Sequence, residues 1–338
     1  MIMDNKGLVS LLTPCYNTGH LIGRLLESVL SQTYPRVEMI IIDDGSTDGS
    51  AEIIKDYIQK FTDRGYSLQY HYQSNSGQSV AIRNGLRLIS GEYLSWPDSD
   101  DFYAAPDAIA KMVGKLDTLP RQYAIVRSCQ KIIGETTLQE LRVQGIGNME
   151  EHLFEPCLYG MPGFYWGAGA YMLRMDALKQ STDLNIYAEK DAGQNWQLLL
   201  PVFYSYKCFT IPEVLYTVVE RENSHGRGAY KGYDQLLIRK RTYENTILGT
   251  LDRMLRISPQ QREYYKLDIR GLIAAERMDL AYKYNEYDDY IKEYTWLKAA
   301  QRAKLKAIDI IRYYAIKLRL VKFLNLLLSF YHKINAGR

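Results

Sequence analysis

The sequence predicts an α/β domain built on a mostly parallel sheet, followed by a helical C-terminal region. Over the first ~130 residues, short apolar runs alternate with segments whose apolar residues recur at helical spacing. Polar clusters rich in Asp, Asn, Ser and Gly follow the apolar runs, where parallel sheets collect ligands. From about Tyr230 onward the pattern is helical and rich in tyrosine, without Gly-Pro punctuation.

Taken in order, residues 8–13 form a short apolar run bounded by Pro14 and by Asn17-Thr18-Gly19, hence a buried strand and a loop. Leu21, Ile22, Leu25, Leu26, Val29 and Leu30 then mark a helix, with Asn17 or Thr18 available as its cap. Residues 37–42 are apolar almost throughout, as in a parallel strand covered on both faces. Ile53, Ile54, Tyr57, Ile58 and Phe61 mark a second helix. Strands at 68–73 and 92–96 enclose a helix at 78–89; a further helix opens at Pro106 and runs to about residue 117, before a strand at 123–127. Between about residues 134 and 219 the pattern is irregular, with glycines at 160, 163, 167 and 169. A domain boundary is expected near Gly228, dividing 1–228 from a helical region at 229–338.

The 338 residues are 46% hydrophobic and 24% charged, an ordinary globular composition able to bury a core without disulfides. Four scattered cysteines (Cys15, Cys129, Cys157, Cys208) have no paired spacing, which argues against a disulfide framework or a zinc site. No leader is expected, because residues 1–7 are polar and the next apolar run is short; no stretch is long enough to span a membrane. The net charge of +3 conceals an asymmetry: residues 301–338 hold nine Lys/Arg against one acid, Asp309. The rest of the chain is net acidic, so a partner at the C-terminus is a reasonable expectation.

Two acidic clusters carry chemical interest. Asp43-Asp44-Gly45-Ser46-Thr47-Asp48 directly follows an apolar strand. It reads either as a turn capping the next helix or as carboxylates that bond a base or ribose. Asp98-Ser99-Asp100-Asp101 follows the strand at 92–96. Three carboxylates in four residues repel one another unless a cation sits between them, and hard divalent ions prefer such oxygens. The plainer alternative is a solvated turn capping the helix that opens at Pro106.

Together with their neighbours these segments resemble the family-2 glycosyltransferases, inverting enzymes with the Rossmann-like GT-A nucleotide-sugar-binding fold. The matching residues begin with Val9-Ser10-Leu11-Leu12-Thr13-Pro14-Cys15-Tyr16-Asn17 and Ser28-Val29-Leu30-Ser31-Gln32-Thr33-Tyr34. They continue through Ile41-Ile42-Asp43-Asp44-Gly45-Ser46-Thr47-Asp48, Gly77-Gln78-Ser79-Val80-Ala81-Ile82-Arg83-Asn84-Gly85 and Gly91-Glu92-Tyr93 to Asp98-Ser99-Asp100-Asp101. The resemblance implies a donor half at about 1–130 and an acceptor half at about 131–228. Thr13, Pro14 and Tyr16 would line the nucleobase pocket, with Asp44 bonding the base, usually uracil. Arg83 would read the donor, and Asp98 and Asp100 would form the DxD pair for Mg²⁺ or Mn²⁺, Asp100 as the more direct ligand. The implied reaction moves a sugar from a nucleotide-diphosphate sugar to a glycan or lipid-linked acceptor in surface polysaccharide synthesis.

The catalytic base departs from the family pattern. Where a Glu-Asp pair is expected at a helix start, aligning on Trp196 and the following leucines gives Gln194-Asn195. An asparagine cannot accept the proton. Asp191, one turn earlier, and Glu189 are the alternatives; Gln194, Asn195 and Trp196 suit an acceptor subsite of amides and an indole face. Phe164-Tyr165-Trp166-Gly167-Ala168-Gly169-Ala170 resembles the loop beneath the acceptor and reads equally as aromatic core. Pro212-Glu213-Val214-Leu215-Tyr216, followed by Arg221-Glu222-Asn223-Ser224-His225, resembles the segment that closes the catalytic domain.

Over residues 304–331, Arg312, Arg319 and Lys322 fall near one face of an expected amphipathic helix whose remainder is largely apolar. Such a helix is a candidate for an anionic membrane surface, which would place a cytoplasmic protein at the inner face of the membrane. The alternative is packing within its own domain. No nucleic-acid partner is expected, because no recognisable module surrounds the basic run. Two rival functions stand beside the transferase reading: a non-catalytic nucleotide-sugar binder, motivated by Asn195, and a sugar nucleotidyltransferase. The second would require a glycine-rich loop that residues 14–19 lack.

Overall fold

The computed structural model describes residues 5–221, 230–300 and 305–336. The chain forms two compact units: Met1–Ala229 with Asn245–Ser258, and Tyr230–Glu244 with Pro259–Arg338.

The first unit is built on a sheet of nine strands among the described residues. Its foundation is β1 (Val9–Cys15) and β2 (Val37–Asp43), buried at every position and paired in parallel from Val9↔Val37 to Cys15↔Asp43. A strand covered on both faces has no reason to alternate, so the apolar runs are continuous. β3 (Ser67–Tyr72) pairs with β2, and β4 (Tyr93–Ser95) pairs with β1, both parallel. The crossovers are α1 (Gly19–Leu30), α2 (Ser50–Asp63) and α3 (Gln78–Gly85). α1 buries Leu21, Ile22, Leu25, Leu26 and Val29 along one stripe. Each such side chain stabilises the fold by roughly 1.5–3 kcal/mol.

The chain then passes through β5 (Phe102–Tyr103), α4 (Ala108–Thr118) and β6 (Tyr123–Gly134). The region expected to be irregular holds β7 (Glu140–Gln144), α5 (Phe154–Leu158), β8 (Tyr171–Arg174), α6 (Met175–Ser181), α7 (Asn195–Phe203) and β9 (Lys207–Glu220). The strand order is β3-β2-β1-β4-β8-β6-β9-β5, with β7 pairing beside β6. β8 runs antiparallel to both β4 and β6, whereas β9 is parallel to β6 and β5 antiparallel to β9. The sheet is thus mixed but mostly parallel.

Two local features explain why this half lacks a clean pattern. The β6–β9 register jumps from Ser128↔Ile211 to Cys129↔Val214, and Pro212, which has no N–H to donate, lies in the interruption. Gly167 and Gly169 sit where a Cβ would come within 1.8 Å of Gln130 Oε1 and 2.2 Å of the Tyr216 ring. These glycines let the backbone settle directly against Gln130 of β6 and Tyr216 of β9. All four cysteines are buried and free.

The second unit comprises the first part of α8 (Tyr233–Arg253), α9 (Pro259–Tyr284), α10 (Tyr287–Ala299), α11 (Ala307–Lys317) and α12 (Val321–Ala336). Tyrosine supplies much of its interior: Tyr290 and Tyr294 join Ala274, Met278, Ala281 and Leu297 in the core. Tyr294 stacks on Tyr313 at 4.2 Å, and the Tyr290 hydroxyl donates to the Asp309 carbonyl at 2.9 Å. Such rings bury a large apolar body while keeping one polar end bonded.

The single amphipathic helix expected over 304–331 is instead two helices. Arg319 adopts φ +59°, its N–H bonds the Ile316 carbonyl at 3.1 Å, and the Leu320 N–H bonds the Ala315 carbonyl at 2.7 Å. This is a Schellman ending with arginine where glycine is usual, so no residue signals the break. Arg312 is not a free cation either. It pairs with Asp279 at 3.0 Å and lies over the Tyr282 ring. No helix among the described residues is long and apolar enough to cross a membrane.

Candidate active site

The carboxyl ends of β1, β2 and β4 lie side by side, and each runs into one of the polar loops of the sequence motifs. The loops are stitched together. Asn17, at φ +50°, accepts the Thr47 N–H through Oδ1 at 2.8 Å and donates its own N–H to Ser46 Oγ at 3.0 Å. Thr18 precedes α1 but does not cap it; its hydroxyl donates to Ser99 Oγ at 3.0 Å. The Asp43 carboxylate holds the Ser46 N–H at 2.8 Å and the Tyr70 hydroxyl at 2.7 Å. Asp48 accepts the Gly19 N–H at 2.9 Å and the Ser50 N–H at 3.1 Å, tying the starts of two helices. Asp48 thus braces both helix starts from outside, the N-cap positions being Gly49 for α2 and Thr18 for α1. The 98–101 cluster does not cap the following helix, because β5 intervenes and Asp107 occupies the N-cap.

Asp44 is buried and organises the start of α3. Its Oδ1 accepts Gln73 Nε2 at 2.8 Å and the Ser76 N–H at 2.7 Å, and its Oδ2 accepts the Gly77 N–H at 2.8 Å. A carboxylate has about four acceptor positions, so Oδ2 retains one. Gly77 has φ +98°, and a Cβ there would lie 2.0 Å from the Lys190 carbonyl oxygen. The Ser79 hydroxyl donates to the Glu189 carbonyl at 2.8 Å. Only glycine lets the 188–193 loop settle on the start of α3 this closely.

Asp98 is the point where distant segments meet. Its Oδ1 accepts Gln78 Nε2 at 3.0 Å from α3 and Gln194 Nε2 at 2.9 Å from the residue preceding α7. Asp100 pairs with Arg221 at 2.7 Å, and Asp101 Oδ1 accepts the Val219 N–H at 2.8 Å. Loss of surrounding water, then the charge on Asp100, pushes the Asp98 carboxyl up to about 7. Burial followed by the charges of Asp100 and Asp98 raises Asp101 well above the ordinary carboxylate range. Asp100 is raised by burial, with Arg221 opposing the shift. An acidic triplet with this affinity for protons is electrostatically under-compensated, and a cation would relieve it.

Asp98 and Asp100 therefore fit a hard divalent ion in chemistry. Among the described residues no group of three or more His, Cys, Asp or Glu side chains is arranged as a metal cage. Two carboxylates suit Mg²⁺ or Mn²⁺ shared with substrate phosphates rather than enclosed by protein.

On the other side of Asp98, Gln194 is buried, and its Oε1 has no partner among the described residues. Asn195 is committed to structure: its Oδ1 accepts the indole N–H of fully buried Trp96 at 2.8 Å, and its Nδ2 donates to the Trp166 carbonyl at 2.9 Å. Trp196 donates to the Cys157 carbonyl at 3.0 Å and meets Trp166 edge-to-face at 4.9 Å, both rings being half-buried.

The remaining sequence candidates fall as follows. Thr13 and Pro14 are buried within β1, while Tyr16 is 50% exposed in the loop beyond. Arg83 is half-buried on α3, its Nε without a partner among the described residues. Glu189 and Asp191 are exposed in the turn before α7. His225, together with Glu222, Asn223 and Ser224, lies outside the described residues. Three contributors were not singled out from sequence. Gln78 was visible as the first residue after a motif glycine. Arg221 and Trp166 were visible only as charge or bulk beside loosely matching segments.

Comparisons with known proteins bear on the family and the fold. The family described as Glycosyl transferase family 2 matches residues 10–177. Glycosyltransferase GlyA of Streptococcus pneumoniae is 36% identical over 102 residues, covering 30% of this chain and 14% of that protein. A Bacillus subtilis glycosyltransferase, TuaG, provisionally named for teichuronic acid biosynthesis, is 37% identical over 126 residues, covering 37% of this chain and 44% of that protein. The matches thus span less than half of these curated relatives. The crystal structure of Staphylococcus aureus TarS 1-349 in complex with UDP-GlcNAc superposes with a TM-score of 0.55 at 16% identity, covering 93% of this chain and 92% of that one. The fold is the GT-A fold, and through residues 10–177 the chain belongs to glycosyl transferase family 2.

Proposed function

We propose that the chain transfers a sugar, with inversion, from a nucleotide-diphosphate sugar to a hydroxyl of a glycan or lipid-linked acceptor in surface polysaccharide synthesis. The observation that carries this is the meeting of two amides, Gln78 and Gln194, on Asp98, in a loop that the Thr18 hydroxyl after β1 ties down at Ser99. Tyr16 offers an exposed ring to a nucleobase, and Asp44 retains one acceptor position for a base N–H. A uridine donor is the class we infer, uracil being the family's usual base and TarS being in complex with UDP-GlcNAc. Arg83 and Arg221 are the cations for the diphosphate. Asp98 and Asp100 would hold a divalent ion, which supplies neutralisation of the charge that grows as the sugar–phosphate bond breaks. The half-buried Trp166–Trp196 pair supports an acceptor-side sugar.

The test is calorimetric titration of nucleotide-sugars with and without Mn²⁺, followed by assay for released nucleoside diphosphate. Metal-dependent saturable binding with turnover is expected. Binding without either hydrolysis or transfer would favour the non-catalytic reading that Asn195 motivates, and no binding at all would sink both.

We also infer contact with an anionic membrane at its inner face. Phe323, Leu326 and Leu327 on α12 are more than half exposed, beside exposed Lys317, Arg319 and Lys322. The full chain is expected to float with phosphatidylglycerol vesicles, and Phe323→Ser with Leu327→Ser to weaken this by about tenfold or more. A full chain that stays at the bottom of the gradient excludes the contact.

A further inference from the structure

The second unit contains a cavity of about 460 Å³ between α8, α9 and α10, outside every motif discussed so far. That size lies within the roughly 300–1,000 Å³ typical of small-ligand sites. Its lining is heavily charged, and the charges are not balanced internally.

Arg277 takes up both of the cavity's acids. Its Nε and Nη2 bond Glu293 at 2.8 and 3.2 Å, and its Nη1 bonds Glu244. All three side chains are largely withdrawn from solvent, 13–15% exposed, so this triad forms a closed structural tie. Three cations remain on the wall: Arg241 from α8, Arg270 from α9 and Lys292 from α10. None of the three has an acidic or hydrogen-bonding partner among the described residues. Trp296 stands one turn beyond Lys292 on the same face of α10 and is 38% exposed.

Like charges gathered from three helices around one hollow repel, and an isolated helical unit gains nothing from that arrangement. Solvated surface cations would be expected to spread out and to pair with the abundant nearby acids, as Lys240 does with Glu276 at 2.7 Å. Two guanidinium groups and an ammonium suit phosphoryl oxygens, which accept forked and point-charge donors alike. The exposed indole beside them offers an apolar face of the kind that packs on a sugar ring.

We propose that this cavity binds a phosphate ester carried on a sugar ring, with Arg241, Arg270 and Lys292 on the phosphate and Trp296 on the ring. If the transferase reading stands, such a site would hold a phosphorylated acceptor chain; the binding claim itself does not depend on the donor site.

The experiment is calorimetry on the full chain with hexose 6-phosphate, inorganic phosphate and the unphosphorylated hexose as probes. Hexose phosphate is expected to bind about tenfold more tightly than inorganic phosphate, with the hexose alone showing no saturation. Arg241→Gln, Arg270→Gln and Lys292→Gln together should weaken hexose phosphate by at least about tenfold, the worth of one charge-assisted bond. Trp296→Ala should reduce its affinity to that for inorganic phosphate. The triple variant should melt no lower than the parent, because repulsion is removed and no partner is lost. Uridine diphosphate binding, measured separately, should be unchanged in it, so failure of the donor reading leaves this result intact. Flotation of phosphatidylglycerol vesicles that is lost in the triple variant, without hexose phosphate binding, would reassign the cations to a lipid headgroup and overturn the sugar-phosphate claim. Unaltered hexose phosphate affinity in the triple variant, or none in the parent, would overturn it outright.

Discussion

Asp100→Ala is expected to abolish the metal dependence of donor binding and to lower turnover by at least about 100-fold. The cause is charge. Three carboxylates share one strand-end turn, and Asp98 and Asp101 are held at raised proton affinity partly by the charge on Asp100. Among the described residues, only Arg221 pairs with Asp100, at 2.7 Å. The substitution thus removes a carboxylate with a single side-chain partner among them, Arg221. By contrast, Asp98 anchors Gln78 and Gln194, so Asp98→Ala would strand two amides and confound binding with local misfolding. Asp98→Asn, which keeps an oxygen for both amides, is the better companion variant.

A purely structural role for Asp100 makes a different forecast. If its duty were to seat Arg221, then Arg221→Ala would reproduce the loss of metal-dependent binding. In the donor-site reading, Arg221→Ala weakens nucleoside diphosphate itself, but Mn²⁺ still strengthens the binding that remains. Calorimetric titration of both variants decides between them. Matching losses in Asp100→Ala and Arg221→Ala would remove the metal role.

What could be read from sequence divides along physical lines. β1 and β2 are legible because parallel strands buried on both faces are written as unbroken apolar runs, and α1 because its buried stripe recurs at helical spacing. β8 and β9 were not. β8 inserts antiparallel between β4 and β6, a non-local choice that no local period encodes. β9 carries Pro212 and a register jump that erase its alternation. The same distinction governs the site. The acidic loops announce themselves as clusters, whereas the meeting of Asp98 with Gln194, 96 residues away, exists only in the fold. The break at Arg319 was invisible because an arginine occupies the left-handed position. The comparable turn at Asn285, φ +64°, uses a residue that tolerates it and so leaves a trace.

Asp191→Asn is expected to reduce transfer by about 10²–10⁴-fold while leaving donor affinity unchanged, the range lost when a general base is removed. Asp191 lies four residues before α7, in a turn whose backbone is pressed onto Gly77 and Ser79 at the edge of the donor site. Asn195→Asp, which restores the acid at the family's position, should not rescue the variant. The Asn195 amide nitrogen donates to the Trp166 carbonyl at 2.9 Å while its oxygen accepts from Trp96. A carboxylate keeps the second bond and replaces the first with two oxygens facing each other in a half-buried site. Breaking that bond costs about 1–3 kcal/mol, more if the carboxylate stays charged. Asn195→Asp should therefore melt lower than the parent and gain no activity. Position 195 is occupied in holding Trp96 and Trp166, so on the proposed mechanism the proton leaves by another route. Full activity in Asp191→Asn with loss in Glu189→Gln would transfer the role to Glu189. Rescue by Asn195→Asp would instead return it to the helix start, at the expense of the structural account of Asn195 given above.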